Sequence, residues 1–159
     1  MKNIITNTVN AIKSGKRNIL ISDINDKLHT AYDIIMHTNV KHTIIYSQNI
    51  DSWYNVDLPD NVIKIKYDDI VNDIIIDDDK ILIIFVSEHD NSKNKFKREA
   101  DLFVVDNIIQ DKTKLSDIES KLNIKYATIL YLSNLSYNTI NSYDVSCQDV
   151  ICQDMEIIQ

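Results

Sequence analysis

The residues most able to do chemistry lie in one short stretch, Ser22-Asp-Ile-Asn-Asp-Lys27, between the apolar run Ile19-Leu-Ile21 and a helical pattern. A lysine at the head of a helix, just after a buried strand, is the layout of a phosphate-binding loop. Helix N–H groups would point at the anion and the lysine would reach its outer phosphates. Such a loop also needs glycines, which let consecutive N–H groups turn toward phosphate, and a Ser or Thr hydroxyl for Mg²⁺. Here Asp26 stands where a glycine would precede the lysine, Leu28 takes the hydroxyl position, and Asp23 adds a second carboxylate. A triphosphate would face two negative charges in a loop whose residues resist positive φ. Nucleotide binding is not expected there, and Lys27 reads as an ordinary first-turn lysine. Ser14-Gly15-Lys16 imitates the motif but precedes the first strand, so Gly15 is expected to end an N-terminal helix.

A second candidate is the run Ile81 to Phe85, apolar enough for a strand of the kind that ends in paired acids, one ordering Mg²⁺ and one activating water. It ends instead in Val86-Ser87, with Glu88, His89 and Asp90 behind it. No further His or Cys stands at a ligand spacing, so a solvated loop is expected. Cys147 and Cys152, five apart, read as a free, reduced pair in a reducing compartment. Neither a metal nor a cofactor is expected. The alternative is an enzyme or small-ligand binder on a Rossmann-like sheet, with Ser47, Gln48, Ser87, Glu88 and His89 converging at the strand ends.

Composition narrows the field further. One glycine and one proline in 159 residues, where average usage gives roughly 11 and 8, exclude a glycine-rich phosphate cradle and a Gly-Pro linker. The net charge is −7, which repels a phosphate backbone and disfavours nucleic-acid binding by the chain alone. Lys2, Lys13, Lys16 and Arg17, and the cluster Lys93, Lys95, Lys97 and Arg98, read as solvated faces. The apolar runs are too short to span a bilayer and the first residues lack a signal-peptide core, so a cytosolic, non-secreted protein is expected. Heavy use of Ile and Asn with few Gly, Pro, Ala and Arg is the pattern of A+T-rich codons, shared by large DNA viruses, some protists and some low-GC bacteria.

The elements that must position these residues alternate short β-branched runs with helical patterns, the signature of an α/β fold. The expectation is a three-layer, mostly parallel sheet flanked by helices, in a single domain over 1–159. Residues 1–17 would be a helical extension, 18–145 the core and 146–159 a tail. Helices are expected over 3–14 and 27–37, and strands over 18–22, 42–47, 61–66, 80–87 and 126–133. Within 61–66 the alternation suggests one solvated face, and 80–87 reads as the central strand because its apolar run is unbroken. Trp53, Tyr54 and Pro59 fall in a loop, 68–76 is a short helical pattern, and 88–98 is a polar loop. Leu102 to Val105 fits either a strand or a helix, and Ser116 with Glu119 forms a capping box for a helix over 116–122.

In order and spacing, residues 18–145 resemble the genome-packaging ATPases of large nucleocytoplasmic DNA viruses, of the FtsK–HerA class of P-loop proteins. Lys27 to Met36 is similar to the family's loop lysine and helix, and His42 to Ser47 to the strand that follows. Asp51-Ser-Trp-Tyr54, Leu58-Pro59-Asp60 and Ile63 to Tyr67 resemble its aromatic–Pro–Ile–Tyr pattern. Lys80 to Phe85 resembles the Walker B strand, and Tyr126 to Asn134 the strand ending in the polar sensor residue. Asn141-Ser-Tyr-Asp144 is similar to the segment after the family's arginine, and Ile124-Lys125 replaces its Arg-His. Every departure falls on chemistry. The resemblance implies vestigial nucleotide-loop positions at Ser22, Asp26, Lys27 and Leu28, and a vestigial Walker B end at Val86 and Ser87. It implies a non-enzymatic pseudo-ATPase acting in host cytoplasm or virion, as a structural or interaction module for packaging or virion assembly. Self-association, or docking on an active packaging ATPase or capsid component, would reuse an inherited surface, with Trp53, Tyr54 and Tyr67 as candidate anchors.

Overall fold

A computed structural model of the chain describes residues 2–69, 75–87, 97–107, 112–135 and 155–158. Its elements run α1 (Lys2–Lys13), β1 (Asn18–Ile21), α2 (Lys27–Thr38), β2 (His42–Ser47), α3 (Ile50–Tyr54) and β3 (Val62–Lys66). A 3₁₀ turn (Tyr67–Asp69) follows, then β4 (Ile81–Ser87), β5 (Leu102–Asp106), α4 (Lys112–Lys121), β6 (Thr128–Leu132) and β7 (Met155–Ile158). Among the described residues seven strands form one sheet, in the order β3-β4-β2-β5-β6-β1-β7. Every pairing is parallel.

Parallel strands covered on both faces read as continuous apolar runs whose alternate residues serve different cores. In β4, Ile81, Ile83 and Phe85 join a core beneath α2 and Trp53 of α3, whereas Leu82, Ile84 and Val86 join one that includes Ile118 of α4 and Leu122 just after it. The expected three-layer α/β architecture is therefore present. α1 packs on α2 and beside β7. Gly15, at φ 88°, closes it with a Schellman motif, in which Lys16 N–H donates to Ala11 O and Gly15 N–H to Ile12 O.

Several expectations change. The segment of Trp53 and Tyr54 is the short helix α3, followed by irregular chain through Pro59. β4 stands second from an edge and β5 holds the middle place, because an unbroken apolar run reports cover on both faces and not rank within the sheet. Leu102 to Val105 is strand. α4 begins at Lys112, so Ser116 lies inside the helix and not at its cap. The tail contributes β7, which pairs with β1. Of the helical pattern at 68–76, Asp68 and Asp69 belong to the 3₁₀ turn and 75–77 are irregular. Residues 70–74 lie outside the described residues, as do Glu88, His89, Asp90, Lys93, Lys95, Asn141 to Asp144, Cys147 and Cys152. On the edge strand β3, Lys64 and Lys66 turn to one face, each about 5 Å from the centre of the Tyr54 ring (4.9 and 4.8 Å). Lysines on an edge strand discourage pairing with another sheet.

Candidate functional site

The loop after β1 opens at the carboxyl ends of the strands, where α/β sheets bind ligands. Lys27 is the first residue of α2, and its ammonium reaches across the strand ends to β5. Nζ donates to Asp106 Oδ1 and to Asn107 Oδ1, each at 2.9 Å. Asp106 closes β5 and its other oxygen is also engaged. Oδ2 accepts from Ser47 Oγ at 2.8 Å and from Trp53 Nε1 at 3.1 Å. Ser47 Oγ in turn accepts the N–H of Asn49 at 3.0 Å. One carboxylate thereby ties together the ends of β2 and β5, the helix α3 and the loop lysine. The side chains of Lys27 and Asp106 are each only 17% exposed, so the pair is largely shielded from water.

The loop's backbone is committed as well. Ser22, Asp23 and Ile24 donate their N–H groups to the carbonyls of Ile158, Leu135 and Ser133, each at 3.0 Å. These bonds fasten the loop to the ends of β7 and β6. Asp23 adopts φ 58°, so one residue of the loop takes the left-handed conformation despite the absence of glycine. Aspartate tolerates that region better than most residues. Asp26 is the N-cap of α2, and its carboxylate accepts the N–H of His29 at 3.1 Å and lies 2.8 Å from His29 Nδ1. The backbone hydrogen bond to His29 is the main cause that lowers the Asp26 pKa below its usual value. An anion belonging to the protein thus already occupies the positive end of the helix.

A cleft of about 380 Å³ lies over this arrangement, lined by Lys27, Asp106, Asn107, Gln48, Asn49 and Asn134 among others. The structure brings Ser47 and Gln48 to the lysine but leaves Val86 and Ser87 at the end of β4, beyond β2. Ser22 is fully buried, and its hydroxyl has no hydrogen-bond partner among the described residues. Leu28 is half-buried at the rim.

The three aromatic candidates separate. Trp53 (2% exposed) and Tyr67 (4%) belong to the chain's own cores, so neither presents a face to a partner. Trp53 is pinned by Asp106 and by an edge-on contact with Tyr32, whose hydroxyl donates to the Trp53 carbonyl. Burial raises the Tyr32 pKa well above the ordinary tyrosine value. Tyr54 is half-buried, edge-on to Phe85 and beneath Lys64 and Lys66.

Asp106 is the site residue that sequence reasoning missed. Its signal was an acid closing the apolar run Leu102-Phe-Val-Val, but five residues fit strand or helix equally. Comparison of the chain with known protein families finds no match, and no significant similarity to any curated protein is found. Among the described residues no group of three or more His, Cys, Asp or Glu is placed to hold a metal, and no helix is long and apolar enough to cross a membrane.

Proposed function

We propose that the chain is a non-catalytic, P-loop-like module that serves as a structural or interaction component. Its link to viral genome packaging or virion assembly rests on the resemblance of residues 18–145. The observation that carries the non-catalytic reading is the closed state of the loop after β1. Its lysine is neutralised by Asp106, three of its N–H groups are spent on strand-end carbonyls, and its helix terminus is capped by Asp26. A phosphate would have to displace an internal partner at each of these points, and glycine, which would let the backbone rearrange, is absent from residues 22–28.

One observation favours a second reading, a small-ligand binder or enzyme. Lys27 and Asp106 meet in a cleft at the strand ends, and a lysine and an acid are residue types that phosphoryl chemistry uses. Incubating the chain with ATP and Mg²⁺ while following phosphate release, with its mass in solution measured alongside, tests both. Release at the buffer rate supports the non-catalytic module. Turnover lost in Asp106→Asn supports the enzyme. A strict monomer that binds no packaging or capsid component would overturn the assembly role.

A further inference from the structure

Beside the closed loop the surface changes character. Between α2 and residues 56–59 lies a groove of about 550 Å³, floored by Leu28, Tyr32 and Met36 of the helix and walled by Val56, Leu58 and Pro59. That volume falls within the roughly 300–1,000 Å³ of pockets that seat a drug-sized body. Leu28, Met36, Val56 and Leu58 are half-buried extensions of the core that holds Trp53. The wall is held from behind, because Lys64 Nζ donates to the carbonyls of Tyr54 at 2.6 Å and Val56 at 3.1 Å. The floor is held by the bond from Tyr32 to the Trp53 carbonyl.

The lining of the groove is rich in carboxylate. Asp26, Asp33 and Asp57 line it together with His29, and no lysine or arginine does so among the described residues. Asp33 and Asp57 are exposed, so a cation placed against them keeps part of its hydration. An apolar floor ringed by carboxylates selects a ligand with apolar anchors and flanking positive charge. We propose that this groove docks a basic segment of a protein partner, which inserts large apolar side chains between α2 and residues 56–59 and sets Lys or Arg against Asp33 and Asp57. This identifies the partner chemistry of the interaction role proposed above, and it rests on that reading. Phosphate-bearing surfaces are repelled by the same rim, and a second copy of this chain, at −7, carries the wrong overall charge.

The test is amide chemical-shift mapping of the whole chain. The probe is a short synthetic peptide with leucines at i, i+4 helical spacing and lysines elsewhere, compared with its twin in which every lysine is glutamate. The basic peptide should saturate, with shifts confined to residues 28–36 and 56–59, and its affinity should fall as salt rises. Leu58→Asp, and separately the pair Asp33→Lys and Asp57→Lys, should each weaken it at least tenfold. The surface pair keeps the test decisive if Leu58→Asp does not fold. No shift at millimolar basic peptide, equal binding of both twins, or shifts mapping elsewhere would overturn the proposal. Concentration-dependent self-association abolished by Asp33→Lys would overturn it in favour of a second copy. Adding ATP and Mg²⁺ to the same sample separates the two levels. Nucleotide shifts around Lys27 would refute the closed loop that carries the non-catalytic reading, whereas a silent groove with no nucleotide binding would refute the docking site alone.

Discussion

Replacing Asp106 by alanine removes the acceptor of donors on three elements at once, α2, β2 and α3. Among the described residues the Lys27 ammonium keeps Asn107 alone, and Ser47 Oγ and Trp53 Nε1 lose their carboxylate partner. Removing one member of a buried ion pair costs about 3–5 kcal/mol. With each side chain 17% exposed, some solvation survives, which places Asp106→Ala near the lower end, at about 3 kcal/mol. Lys27→Ala leaves Asp106 with two donors and should cost less, about 1–2 kcal/mol. The double variant should fall short of the sum by about 1–2 kcal/mol, the energy of the contact itself. Urea unfolding followed by fluorescence of Trp53, the lone tryptophan and a buried one, reads all four proteins. With a slope of about 2 kcal/mol per molar urea, Asp106→Ala should lower the midpoint by about 1.5 M. Strict additivity, within about 0.5 kcal/mol, would refute the claim that Lys27 and Asp106 hold each other.

Three further outcomes test separate parts of the structure. Gly15→Ala should cost about 1 kcal/mol in thermal unfolding purely through backbone strain, since Gly15 is at φ 88° and an added Cβ would meet nothing within 4 Å. Asp26→Ala should cost about 1 kcal/mol through loss of the α2 cap, and Asp26→Asn should recover most of that in urea midpoints. Burial holds the pKa of His42 below its usual 6.5, with Nδ1 2.9 Å from the Glu99 carbonyl. The unfolded chain then binds the extra proton first, so stability is full above 6.5 and declines as the pH falls toward the lower folded value. His42→Gln should flatten that part of a urea-midpoint series over pH, and an unchanged slope would show that other groups set it.

The layered fold was legible because strands buried on both faces cannot alternate, and runs such as His42–Ser47 stand out sharply enough to give that strand to the residue. The site was half legible. Lys27 and the loop without glycine are local facts, visible in six consecutive residues. Asp106 lies 79 residues away, and its arrival beside the lysine depends on strand order, which periodicity does not encode. The short elements escaped for related reasons. α3 spans five residues with no side-chain cap, and β7 has only Met155-Glu-Ile-Ile158, too few for a period. Ser116 and Glu119 made a cap signal inside a helix that begins earlier, where helix continuity overrides the local preference.

The most direct test of the closed loop is thermal unfolding of the intact chain with and without millimolar ATP and Mg²⁺. A ligand present at 100 times its Kd stabilises by about 2.7 kcal/mol, which for a domain of this size raises Tm by about 5–10 °C. A loop whose lysine, amides and helix terminus are already partnered predicts no shift. A clear rise in Tm that disappears in Lys27→Ala would contradict it.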